Sequence, residues 1–255
     1  MVITLGNIVF GGKGNGGSST ASAYVVPDGM RFQNSTFETF SSEGLDFSQK
    51  TDFSYCWNSC SYLTEFPLLD LHNGFTFAYA WHSCNKLATF PMVDVSGGNY
   101  FSSAWHGCRA LTSFPQLNVS KGIGFRNAWY GCIGLTEFPM LDLHNGTDFY
   151  MAWYGCSSLT SFPQLDLSSG TNFGGAWTNC KKLTTLGGFG AISANIDLHW
   201  STLLTAESLM NVITQAADLN SLGIAGKTMK FGSDNLAKLT DEQKAVATSK
   251  GWTLA

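Results

Sequence analysis

The stretch WHSCNKLATFP, residues 81–91, sets Trp81, Cys84, Leu87 and Phe90 in a pattern that returns along the chain. Cysteine recurs at 24-residue intervals at Cys60, Cys84, Cys108, Cys132, Cys156 and Cys180. Tryptophan keeps the same interval at Trp57, Trp81, Trp105, Trp129, Trp153 and Trp177, and leucine runs likewise from Leu63 to Leu183. Phe53, Phe77, Phe101, Phe125, Phe149 and Phe173 open the units, and a Phe-Pro pair such as Phe90-Pro91 sits near the middle of five of them. A period of this length marks a stack of repeated coils, each burying its apolar side only against its neighbours.

One unit can be read by inspection. Phe77, Ala80, Trp81 and Cys84 stand at i, i+3, i+4 and i+7, the apolar stripe of a short helix. Val93 and Val95 then alternate with Asp94 and Ser96, which predicts a short extended rung after Pro91. Gly98 closes the coil, and its counterparts Gly74 and Gly146 lie in Asn-Gly pairs that are expected in tight turns with positive φ. Helices pack about 8–10 Å apart and strands about 4.8 Å apart. The stack is therefore expected to curve into an arc with strands inside and helices outside.

The flanks leave the register. Residues 1–20 read as an attachment segment followed by a glycine-rich linker, and residues 21–52 as an N-terminal cap. Within that cap Leu45 and Phe47 take the places of Leu69 and Leu71. Residues 53–190 form the six-unit stack, and residues 191–255 a C-terminal α/β cap. In that cap Thr205 is expected to N-cap a helix running to residue 219, with Leu209, Val212, Ile213 and Ala216 on one face. A strand over 227–231, a capping box from Thr240 to Gln243 and a last strand over 252–254 complete it.

The motif W-x-G-C-x-x-L-T-x-F-P-x-L-D-L, seen as WYGCSSLTSFPQLDL at 153–167 and in part as WYGCIGLT at 129–136, resembles the BspA-type leucine-rich repeats. The resemblance covers about residues 45–190. It implies an α/β repeat solenoid, a leucine-rich-repeat-like stack of 24-residue coils with a short helix and a short strand per coil. It also implies surface attachment, since the family includes adhesins of bacterial and protist cells and repeat proteins encoded by phages.

Composition narrows the function. Charged residues are 13% of the 255, aromatics are 14%, and the net charge is -4. Soluble domains average about 25% charged. With no basic stripe, the electrostatic footprint of nucleic-acid binding is missing. No positively charged leader opens the chain and no run of about eighteen apolar residues occurs, so neither a signal peptide nor a membrane span is expected. With the resemblance, this gives the expectation of a virion protein of the phage tail, or alternatively of the bacterial cell surface.

Enzymatic signatures do not assemble. One cysteine per unit lacks the local spacing of a zinc site, and Cys56 with Cys60 makes an isolated C-x3-C. Equivalent cysteines on stacked coils would carry parallel Cβ vectors, poorly placed for disulfides. Buried thiols acting as small hydrophobes explain the register. Lys13 is followed by Gly14, so the glycine-rich segment is no phosphate loop. Asp70, Asp94, Asp142 and Asp166 recur, with Asn118 between, as a turn position rather than a catalytic acid. No cofactor and no metal are expected.

Comparing units with one another separates scaffold from variable surface. The register of Asn58, His82, His106, Tyr130, Tyr154 and Thr178 changes beside the fixed tryptophan, as does that of Tyr55, Tyr79, Ser103, Asn127, Met151 and Gly175. From these, Tyr55, Tyr79, His82, His106, Tyr130 and Tyr154 form the candidate binding face, suited to sugars or protein through apolar area plus hydrogen bonding. Packing between coils explains the same residues equally well. The rung positions Leu68, Met92, Gln116, Met140 and Gln164 offer a second face for other subunits. The expected partners are a host surface receptor or glycan, other tail subunits through the N-terminal segment, and a second copy of the chain.

Overall fold

Residues 23–255, and the backbone of the antiparallel pair β1 (Ile3–Leu5) and β2 (Ile8–Phe10), are described by the computed structural model. The segment read as a linker lies outside the described residues. From Phe53 onward six coils stack in register. Trp57, Trp81, Trp105, Trp129, Trp153 and Trp177 lie face to face at 5.4–5.7 Å between ring centroids, their planes within 14°. The opening phenylalanines stack beside them at 5.2–5.5 Å. The Phe-Pro rings form a third column and meet the indoles edge-on at 4.8–4.9 Å. Such pairs add about 0.5–1.5 kcal/mol each to their area burial.

The expected helix in each coil is absent, and the backbone bonds explain why. The N–H groups of Phe53, Tyr55, Trp57 and Ser59 donate to the carbonyls of Thr76, Ala78, Ala80 and His82 in the following coil, at 2.7–2.9 Å. The next four interfaces repeat this set. Alternate N–H groups are thus committed between coils, and the others close tight turns, as Cys56 N–H does on Phe53 C=O. Two positions per coil adopt left-handed backbone, Tyr55 and Ser59 in the first and Asn127 and Gly131 in the fourth. An α-helix of L-residues tolerates neither feature. The spacing i, i+3, i+4, i+7 here belongs to consecutive turns that aim Phe, Trp and Cys inward.

With no helices, the expected arc loses its cause. All three ring columns repeat at 5.2–6.3 Å, so nothing drives a helix-sized wedge. The rungs pair in parallel through single bridges linking Asp52, Thr76, Tyr100, Gly124, Asp148 and Asn172 in one column. A short sheet joins β5 (Ser161–Phe162) to β6 (Thr185–Leu186).

The glycines also differ from expectation. Gly74, Gly98, Gly122, Gly146 and Gly170 are buried without positive φ; a Cβ on any of them would overlap the opening phenylalanine three residues on. The register is small because a ring lies over it. The acidic register makes Asx turns, Asp70 Oδ1 accepting from His72 N–H and Asn118 Oδ1 from Ser120 N–H, so Asp and Asn serve alike. All seven cysteines are free and buried. Six donate S–H to a carbonyl of an earlier turn, Cys84 to Trp57 and Cys132 to Trp105 among them, at 3.2–3.3 Å. The six indole Nε1–H groups have no such acceptor among the described residues.

Caps close both ends. β3 (Tyr24–Val25) pairs in parallel with β4 (Leu45–Asp46), and Phe32 and Phe40 cover Trp57. Lys50 holds the place that glycine takes in later coils; its buried ammonium donates to the carbonyls of Pro27, Asp28 and Met30. At the other end α1 (Ala206–Gln215) is capped by Thr205, ends four residues earlier than expected, and buries Leu209, Val212 and Ile213. Ser208 and Asn211 on α1 bond the N–H and C=O of Leu186. A three-stranded parallel sheet follows, from β7 (Ile196–Asp197), β8 (Thr228–Lys230) and β9 (Thr253–Leu254). The short α2 (Ser233–Leu236) escaped sequence reading, whereas α3 (Asp241–Ser249) carries the expected capping box. No helix of the described residues is long and apolar enough to cross a membrane.

Candidate functional site

The left-handed residue that precedes the buried tryptophan by two positions, and the residue that follows it directly, both turn away from the core. Their side chains meet outside the stack. Tyr55 stacks on Tyr79 at 4.7 Å with planes 4° apart. Tyr79 touches His82 of its own coil at 5.5 Å, tilted by 46°. From there the column runs through His82 and His106 at 4.5 Å, His106 and Tyr130 at 4.5 Å, and Tyr130 and Tyr154 at 4.7 Å. All six residues singled out from the sequence thus join one continuous ladder, which changes register at the second coil because Ser103 carries no ring.

The geometry alters what this face can do. Rings in the middle of the ladder cover each other's faces, so a sugar cannot lie flat on them; they offer edges, hydroxyls and imidazole nitrogens instead. Tyr55 is the exception. It is 44% exposed, and among the described residues Tyr79 is its one ring neighbour. At the far end Asn179 Nδ2 donates to the Tyr154 hydroxyl at 3.1 Å. Sequence reading missed Asn179; the signal was an amide in the register that otherwise holds Ser59, Ser83 and three glycines.

Burial sets the charge of the two histidines. It holds the His82 pKa below its ordinary value, and for His106 burial, with the neighbouring His82 charge, lowers it to about 4. Both are neutral at physiological pH. Their Nδ1 atoms are buried and have no hydrogen-bond partner among the described residues, which leaves Nε2 as the nitrogen open to a ligand. The offset, nearly parallel rings at 4.5 Å do not converge on one point as metal ligands must. No group of three His, Cys, Asp or Glu able to hold a metal occurs among the described residues.

The second face is apolar. Leu68, Met92 and Met140 are 71%, 59% and 63% exposed, while Gln116 Nε2 donates to the Met140 carbonyl at 2.9 Å. Among solved structures, the chain is similar to the T. pallidum leucine-rich repeat protein, at 14% identity over 92% of this chain and 91% of that one, with a TM-score of 0.39. Comparison with protein-family models and with curated proteins finds no match.

Proposed function

We propose that the protein is a non-enzymatic adhesin of a phage tail, presenting its outer ladder to a receptor or glycan on the host surface. The BspA-type repeat motif and the charge-poor, aromatic-rich composition support this reading. The observation that carries it is the ladder itself. Six positions that vary while the core beside them stays fixed come together on one face. A rigid column of edge-presented Tyr and His suits hydrogen bonding to hydroxyls or peptide groups along the stack, and Tyr55 supplies a ring face for an apolar sugar surface. Affinity would grow by summing weak contacts over several coils.

Binding of purified protein to susceptible cells tests it. Tyr130→Ala/Tyr154→Ala should abolish binding while the far-UV spectrum stays unchanged; the same variant binding normally would sink the assignment. Each substitution removes stacking partners, so a loss of about 1–3 kcal/mol in stability is expected alongside. A second reading, a structural tail or cell-surface protein docking other subunits, is favoured by the exposed Leu68, Met92 and Met140 row. In that case charged substitutions in this row, rather than in the ladder, would block assembly.

A further inference from the structure

The sixth coil ends the hydrogen-bond ladder abruptly. In the fifth coil the N–H groups of Phe149, Met151, Trp153 and Gly155 reach Asn172, Gly174, Ala176 and Thr178 at 2.8–3.0 Å. The equivalent acceptors for the sixth would come from β7 and the residues after it. β7 pairs with β8 instead, and no backbone bond from Phe173 or Gly175 reaches it. Among the described residues the N–H groups of Phe173 and Gly175 therefore meet no acceptor. A cleft of about 390 Å³ opens where the chain diverges, lined by these two residues with Asn195, Lys227, Thr228 and Lys230.

Its polar groups are unequally spent. The side-chain amide and carboxylate oxygens of the lining are already engaged: Asn195 Oδ1 takes the Thr228 N–H at 2.8 Å, Asn172 Oδ1 takes the Gly174 N–H at 3.2 Å, and Asp197 is held by His199 and Lys230. Donors are left over, namely the two backbone N–H groups, the Asn195 amide nitrogen and the Lys227 ammonium. Two alternate backbone N–H groups left without acceptors in one lining, with an ammonium in that same lining to add a charge-assisted bond, suit an anion. The volume is that of a small-ligand pocket and exceeds what a bare ion needs.

From this we infer that the cleft between the last coil and the C-terminal cap binds a small ligand through an oxyanionic group, a carboxylate, phosphate or sulfate. The N–H groups of Phe173 and Gly175 hold its oxygens, and Lys227 neutralises its charge. The site is separate from the outer ladder and does not depend on the proposed adhesin role.

Titration of the 15N-labelled full chain at low salt with glucuronate, inorganic phosphate and inorganic sulfate tests the assignment. The amide signals of Phe173 and Gly175 should move and saturate with at least one anion, while those of Phe149 and Met151, already bonded, stay in place. Whichever anion saturates them identifies the oxyanion. Lys227→Gln should weaken that affinity about tenfold or more at unchanged thermal midpoint. In the unmodified protein added NaCl should weaken it too. Absence of saturable shifts with all three anions, or equal affinity and salt response with and without Lys227, would overturn the proposal.

Discussion

Two glycine registers look alike on paper and act for different physical reasons. Gly131 has a φ of 67° and open space where a Cβ would stand; Gly146 has ordinary φ, but a Cβ there would overlap the Phe149 ring. Gly131→Ala should therefore cost about 1 kcal/mol, the price of a left-handed Ala. Gly146→Ala should cost about 3 kcal/mol, because the Phe149 column must shift. Urea unfolding of both variants separates the two causes. His106 makes a different prediction. The unfolded chain takes up a proton near the ordinary imidazole value of 6.5, whereas the folded chain refuses it until about 4. Stability should stay level above pH 6.5 and fall as pH drops from there toward 4. Replacing His82 and His106 by Tyr, which extends the column already formed by Tyr130 and Tyr154, should flatten thermal midpoints across this window. The position of these residues on one face could be read by comparing units, but their stacking could not. It depends on the coil spacing, which no single unit contains.

Within one coil, the apolar positions were legible and the backbone was not. Phe77, Ala80, Trp81, Cys84, Leu87 and Phe90 are all buried as their recurrence predicts. A helix and a run of turns can place the same residues inward, so periodicity over eight residues does not separate them. The glycine before cysteine at Gly107, Gly131 and Gly155 was the discriminating sign, since a helix interior disfavours it. Elements whose bonds close locally, such as α1 with its Thr205 cap and α3 with its capping box, were read correctly at their starts, though α1 stops four residues short of the expected end. Elements whose bonds go to the next coil were not. The thiols lie in this hidden geometry. Burial pushes the pKa of Cys60 up to about 11 and those of Cys56 and Cys156 up to about 12. Iodoacetamide should leave the native protein unmodified and label seven cysteines after denaturation, as counted by intact mass. Labelling of the native chain, or fewer than seven labels after denaturation, would contradict the buried-thiol register.

Because each coil contacts its neighbours through one repeated set of bonds, length is adjustable in whole periods. Excision of residues 101–124 brings Tyr100 to Phe125 and preserves every register, so a folded protein with a somewhat lower thermal midpoint is expected. Excision of residues 101–112 breaks the columns and should give an unfolded or aggregated product by size-exclusion chromatography and circular dichroism. Six indoles held parallel at 5.4–5.7 Å also have an optical consequence. Their electronic transitions are close enough to couple, so the column is expected to act as a coupled chromophore, with an exciton component added to the bands of the separate side chains. Its ultraviolet dichroism and fluorescence then report the contact between successive coils, and parting any one interface shortens the chromophore while leaving the indoles on either side in place.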